Sequence, residues 1–406
     1  MHSSKRNLVS LAGELTPLLS GAVLFFLLIG ILPTAEYGVF VAVTASAMII
    51  SPIARAGAGV VLLRDIGASR PDEPAWNDAL STTIVTTSLA VAVWAIIGTA
   101  IVPGIPAAAS VALFWQQLVP LALSDLVTTH LVVKNDLVTS LRARLTFAVW
   151  RIIGLLVFWA LDSSSLNVLG FVLLTTGLIG AGINVGQLSS KFNVKSRFFW
   201  PGFPTIVRGI PDSVSAATGS ILDSVDKPLL LRAGFDTDTA RYGVAMRLVS
   251  LAGVPTLALL RPFDQETFRA GAESVTATTK VMVRAATRTF PVSLVAAGTL
   301  WLLAGLLPQL LPTDYAESTD ILRWGVWMIP MRALSFPFGN VLTAAGHRAT
   351  RLVITAIAAG GNVIANLILI PRYSWRAAVG TTLAAELLMV VATMGSCWIL
   401  VRREQR

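Results

Sequence analysis

Apolar positions in this chain come in long, nearly unbroken runs. They lack the strict alternation of a half-buried strand and the narrow stripe of a surface helix. A helix needs about 20 apolar residues to cross the hydrocarbon core of a bilayer, and about twelve runs reach that length. The first six fall near 8–32, 37–63, 79–102, 107–133, 145–161 and 166–186, and the second six near 206–231, 242–260, 290–311, 321–344, 352–370 and 377–401. Polar and charged residues collect between them. Lys5 and Arg6 before the first run resemble the start of a secretory signal, but no small-residue cleavage site follows and the run is too long. It reads as an uncleaved first span.

Composition sharpens this picture. The 406 residues are 54% hydrophobic and only 13% charged, about half the charged share of a soluble domain, and mean hydropathy is +0.73. An ordinary soluble enzyme, a disordered chain and a nucleic-acid-binding domain are excluded. The single cysteine, Cys397, leaves no disulfide framework and no cysteine metal site. Of the three histidines, His2, His130 and His347, no two have metal-ligand spacing. Tryptophans near predicted span ends, Trp76, Trp159, Trp200 and Trp375, fit an interfacial belt.

The net charge of +9 decides orientation rather than nucleic-acid binding. With both termini on the inner side, the outer loops receive only Arg232, Arg241, Arg323, Arg372 and Arg376, and most of the other basic residues face inward. That is the positive-inside pattern. Outer turns carry Glu36, Asp162, Asp314 and Glu317 instead. The expectation is a multi-pass protein of a bacterial or archaeal cytoplasmic membrane, with both termini cytoplasmic.

The two halves echo each other. Thr34-Ala35-Glu36-Tyr37-Gly38-Val39 opens the second span and Thr239-Ala240-Arg241-Tyr242-Gly243-Val244 opens the eighth; Arg144-Leu145 and Arg351-Leu352 enter the fifth and eleventh at nearly the same offset, about half the chain. Six spans per unit give both halves one orientation, related by an axis along the membrane normal. The expected organisation is an N-terminal six-helix lobe over 1–190, a cytoplasmic amphipathic linker over 191–205 and a C-terminal six-helix lobe over 206–406. Lys191, Lys195 and Arg197 alternate with Phe192, Phe198, Phe199 and Trp200 in the linker, which suits a segment on anionic membrane lipids. A second amphipathic stretch is expected over 261–288.

Charges inside spans are expensive and mark pathways or sites. The basic ones are Arg55, Arg151, Lys227, Arg247 and Arg332. Arg55 lies between Pro52 and Gly57, and Arg332 between Pro330 and Pro337, so both helices are expected to break there. Arginine binds phosphate oxygens with a planar fork and keeps its charge. Arg55, Arg247, Arg332 and Arg151 are therefore candidates for binding a phosphate-bearing substrate in a cavity, the alternative being structural pairing with carboxylates of neighbouring helices. The acidic set is Glu14, Asp125, Asp212, Asp223, Asp226 and Glu386. Glu14, Asp226 and Asp223 are the candidate coupling residues or charge partners, with Asp223 and Lys227 spaced to neutralise each other and Asp226 directed toward an arginine of the eighth span. No metal site and no cofactor is expected beyond a coupling proton or sodium ion.

Three stretches carry a family resemblance. They are Leu32-Pro33-Thr34-Ala35-Glu36-Tyr37-Gly38-Val39-Phe40 continuing through Ala54-Arg55-Ala56-Gly57-Ala58-Gly59 to Leu63-Arg64-Asp65; Ser224-Val225-Asp226-Lys227-Pro228-Leu229-Leu230-Leu231 followed by Tyr242-Gly243-Val244-Ala245-Met246-Arg247; and Gly361-Asn362-Val363-Ile364-Ala365-Asn366 running to Ile370-Pro371-Arg372-Tyr373. In this order, the chain resembles the polysaccharide-export flippases of the superfamily that also holds multidrug-and-toxin (MATE) extruders and lipid II flippases. The resemblance implies an all-α membrane protein of about twelve helices in two six-helix lobes, working by MATE-like alternating access. It further implies a central cavity that carries a polyprenyl-diphosphate-linked glycan to the outer leaflet, with Arg55 and Arg247 where related flippases place cavity arginines. A polysaccharide polymerase and glycosyltransferases are the implied protein partners. Pro228 departs from the usual pattern.

Two rivals remain. A drug or cation extruder of the same fold lines its cavity with carboxylates and aromatics. A membrane polymerase or glycosyltransferase needs a sizeable outer loop, and the outer turns here are short.

Overall fold

The structure, a computed structural model, describes the backbone of residues 3–406 and their side chains except those of 3–8, 10, 11, 14, 264 and 265. Every regular element among the described residues is helical, and the chain folds as two compact units, Met1–Ser220 and Ile221–Arg406. The first contains α1 (Ser3–Ile29), α2 (Thr34–Ala54), α3 (Ala58–Gly67), α4 (Asp72–Ile101), α5 (Ala107–Val133), α6 (Leu137–Ala160), α7 (Leu166–Phe192), α8 (Phe203–Val207) and most of α9 (Ile210–Ser224). The second contains α10 (Asp226–Arg232), α11 (Asp236–Leu260), α12 (Asp264–Gly271), α13 (Val275–Leu303), α14 (Leu307–Leu310), α15 (Ser318–Gly325), α16 (Met328–Ala344), α17 (Arg348–Tyr373) and α18 (Trp375–Glu404).

Nine helical runs among the described residues are long and apolar enough to cross a membrane. Three further runs occupy the remaining predicted spans. The first, α1, has a shorter apolar part, Leu15–Ile29. The second, α9 with α10, carries Asp212, Asp223, Asp226 and Lys227, and the third, α15 with α16, is interrupted at Val326–Trp327 and carries Arg323 and Arg332. The protein is a multi-pass membrane protein.

Proline sets several helix starts. Pro33, Pro71 and Pro106 precede α2, α4 and α5 with φ near −55°, where a fixed φ helps and no amide donor is lost. Asp136 caps α6 by accepting from the Thr139 amide (3.2 Å), and Ser274 caps α13 through the Ala277 amide (2.9 Å). Within spans, hydroxyls bond back to their own helix, as Thr83 to Ala79, Thr87 to Thr83 and Thr393 to Met389 do, so they enter hydrocarbon without an orphaned donor.

Helix packing in the first unit relies on small residues and a few shared polar groups. Asn184 of α7 donates to Ser124 Oγ of α5 (3.1 Å) and the Ala143 carbonyl of α6 (3.0 Å). Trp94 of α4 stacks on Phe114 of α5, ring centroids 4.2 Å apart, and its indole donates to Ser110. The predicted second span breaks at Arg55. Ala56 and Gly57 both have positive φ, 45° and 62°, and Gly57 lies against the backbone of Gly209, so a side chain at either glycine would strike main-chain atoms. In the second unit, two apolar clusters, one around Met282, Phe338 and Val341 and one around Tyr242, Ile321 and Ala378, hold α11, α13, α15, α16 and α18 together.

Some details correct the sequence reading. The stretch 261–288 is not one interfacial segment: α12 ends at Gly271, and α13 runs unbroken from Val275 into the ninth span, because no turn former interrupts it after Ser274. Trp76 is wholly buried, donating to Ser196 Oγ at 3.0 Å, and Trp375 is nearly so, whereas Trp159 and Trp200 are exposed. Between α7 and α8 the linker runs extended along the start of α4, where Asn77 and Ser81 side chains bond the Lys195 carbonyl and the Arg197 and Phe199 amides. Its Phe198, Trp200 and neighbouring Phe203 are exposed.

Candidate functional site

Each unit carries its own charged centre. In the first, the break after α2 places Arg55 at the helix end, where Nη1 donates to Asp125 of α5 at 2.6 Å. The arginine side chain is 26% exposed and the carboxylate 49%. The buried Nε of Arg55 makes no hydrogen bond among the described residues. Nη1 is thus held by a carboxylate while Nε is enclosed without an acceptor among the described residues. Arg151 is half-buried in the middle of α6.

In the second unit, α16 carries Arg332. Its Nε donates to Glu386 of α18 (2.6 Å) and its Nη2 to Asp223 of α9 (2.5 Å). Glu386 is buried, while Asp223 is half exposed. Next to this triad, Asp226 is buried and accepts from the Tyr242 hydroxyl of α11 and from Lys227, whose Nζ is 3.2 Å away. The Lys227 ammonium also donates to the Asp223 carbonyl oxygen at 2.8 Å and lies over the Tyr242 ring. Asn362, Asn366, Thr381 and Thr382 continue the polar cluster between α17 and α18: Asn366 bonds Asn362 at 2.5 Å and Thr381 bonds Asn366 at 2.6 Å. Arg247 is half-buried in α11, about 1.4 helical turns beyond Tyr242.

Arg332 and Asp223 therefore meet directly, joined by Glu386. The expected Asp223–Lys227 carboxylate pair does not form, because the Lys227 ammonium turns to Asp226 and to the main chain while Arg332 takes the Asp223 carboxylate. Asp226 does reach the eighth span, but its partner there is Tyr242, not an arginine. Arg55 and Arg151 belong to the first unit, Arg247 and Arg332 to the second. Glu14 lies outside the residues whose side chains are described. Sequence reasoning did not single out the Asn362–Thr382 cluster. Its signal was two asparagines four apart in an apolar helix, followed by a Thr-Thr pair in the next. Among the described residues no group of three or more His, Cys, Asp or Glu side chains is arranged to hold a metal.

No family model and no curated protein matches the chain. Solved structures do. An inward-facing multidrug resistance MATE family transporter of the MOP superfamily superposes with a TM-score of 0.74 at 16% identity, covering 93% of this chain and 95% of that one. An outward-facing MATE family transporter of the same superfamily gives 0.64 at 17% identity, over 98% and 95%. The lipid II flippase MurJ in an inward closed conformation gives 0.71 at 12% identity, over 95% and 87%. At these identities the likeness is one of fold: the chain has the all-helical, two-lobed architecture shared by MATE transporters and this lipid II flippase.

Proposed function

We propose that the chain is a flippase that moves a polyprenyl-diphosphate-linked oligosaccharide from the inner to the outer leaflet of the cytoplasmic membrane, for surface polysaccharide biosynthesis. The observation that carries this reading is Arg55. It is held at a helix break with Nη1 on Asp125 and its side chain partly exposed, so the exposed part of the guanidinium is suited to a phosphate oxygen. A fold shared with a lipid II flippase supports it. Arg247 and Arg332 are the proposed contacts from the second unit, and Arg151 a further one.

Transport of this kind makes no covalent bond. The prenyl chain stays in the lipid while the headgroup crosses, so the work lies in favouring inward- and outward-open states by different amounts. A proton or sodium gradient supplies the bias, with Asp226 and Asp223 as the proposed coupling or charge partners. Glycosyltransferases would supply the substrate and a polymerase would consume it.

A specific observation favours a second reading, extrusion of cationic drugs. The span arginines are matched by carboxylates, Asp125 for Arg55 and both Glu386 and Asp223 for Arg332, so the second unit's charged centre is not purely cationic.

A deletion strain separates the two. Lipid-linked oligosaccharide should accumulate and surface polymer disappear, with rescue by the intact gene but not by Arg55→Ala or Arg247→Ala at normal membrane levels. Arg→Lys should restore export only in part, because the fork is lost. Full export by both alanine variants would overturn the proposal. Unchanged glycans together with new sensitivity to cationic dyes would establish the extruder.

A further inference from the structure

A cleft of about 860 Å³ opens between α6 and α7 at the end that carries Lys191, inside the size range of small-molecule sites, about 300–1,000 Å³. Its mouth is polar and basic: Arg142 and Thr139 come from α6, and Gln187, Ser190 and Lys191 from α7. Its wall turns apolar along α6, where Leu145, Val149 and Trp150 succeed Arg142 at helical spacing. Leu145 and Val149 are about half exposed, and the same face continues to Leu156. Gly186 of α7 also lines the cleft, and a Cβ there would meet nothing within 4 Å.

The charges are unequal. Lys191 is bound by Asp136 and by the Thr139 hydroxyl. Arg142 is exposed and forms no ion pair with any described residue. Two cations against one carboxylate leave a net positive mouth above an apolar slot, on the side that the positive-inside bias assigns to the cytoplasm. There anionic lipid supplies a negative surface potential that draws basic side chains.

We propose that this cleft is a binding site for one anionic phospholipid of the cytoplasmic leaflet. The phosphodiester sits on Arg142 and Lys191, with Gln187 and Ser190 donating to headgroup oxygens, and an acyl chain runs along Leu145, Val149 and Trp150. None of the arginines proposed for translocation lines the cleft, and the site does not depend on what is transported.

The test is native mass spectrometry of the full chain in detergent. It is titrated with phosphatidylglycerol, with phosphatidylcholine of the same chains, and with inorganic phosphate. One phosphatidylglycerol should be retained over phosphatidylcholine by about fivefold or more, the contribution expected of a single basic residue. Arg142→Ala with Lys191→Ala should reduce this to the phosphatidylcholine level. Gly186→Leu should do the same with both charges present, because the new side chain projects into the cleft, and it should not lower the melting temperature, since leucine favours the helix over glycine. Equal retention of the two lipids by the wild type would overturn the proposal, as would phosphatidylglycerol retention that survives both variants. Full displacement by equimolar inorganic phosphate would also sink it, since the lipid chain would then contribute nothing.

Discussion

Arg332 shows how a single residue can be necessary to its lobe without adding stability to it. Its guanidinium is enclosed by Glu386 and Asp223, and a buried ion pair roughly repays the cost of removing its charges from water. Removing one partner is another matter. Glu386→Ala should destabilise the protein by about 2 kcal/mol, because it removes one of two charged hydrogen bonds and leaves the guanidinium on the half-exposed Asp223 alone. The double variant Arg332→Met with Glu386→Met should recover most of that loss while abolishing transport. Melting curves in detergent decide it: a double variant as unstable as the single one would show that the pair itself holds the lobe. The residues of this centre were visible in the sequence as charges among apolar neighbours, but their pairing was not. A sequence ranks Asp223 and Lys227 by spacing along one helix, whereas Arg332 reaches Asp223 from 109 positions away.

At the scale of elements, interruptions matter more than spans. Pro52 and Gly57 announced the break between α2 and α3, but the break expected at Arg332 does not form: α16 runs unbroken through Pro330, Arg332 and Pro337, and the chain is interrupted before it, at Val326–Trp327. The join of α12 and α13 carried no such warning, since Thr and Arg residues within 275–288 read as polar whether a helix ends or continues there. The α6 start offers a clean test of an element's end. Burial alone pushes the Asp136 carboxyl up, but the Lys191 ammonium, together with the Thr139 hydroxyl and amide, holds it below its ordinary value. A carboxylate with a depressed folded pKa stabilises the protein above its unfolded pKa, about 3.9, and the contribution fades as pH falls through the folded value. Asp136→Ala should therefore cost about 1 kcal/mol at pH 7 through the lost cap. The gap in melting temperature between wild type and variant should narrow below about pH 4. A gap independent of pH would show that the charge plays no part.

For the whole molecule, the apolar runs predict twelve spans, and nine helical runs among the described residues are long and apolar enough to cross; of the other three, α1 is short in apolar length, α9 with α10 is rich in charge, and α15 with α16 is broken. Orientation rests on the distribution of basic residues and is open to a direct check. Cys397 is buried, so replacing it with alanine gives a cysteine-free background. In intact cells Ser164→Cys, between α6 and α7, should react with an impermeant maleimide, and Gln405→Cys should react only after lysis. The reverse pattern would invert the topology. The Arg332 triad also bears on biosynthesis. Most hydroxyls in these spans bond within their own helix and are satisfied as soon as that helix forms, so such segments can leave the insertion machinery singly. Arg332 has Asp223 behind it in the chain, but Glu386 lies 54 positions ahead. At about 5–20 residues per second that is roughly 3–10 s of synthesis. For that interval the nascent lobe holds an arginine short of a partner, and α16 has reason to wait beside the translocon until α18 arrives.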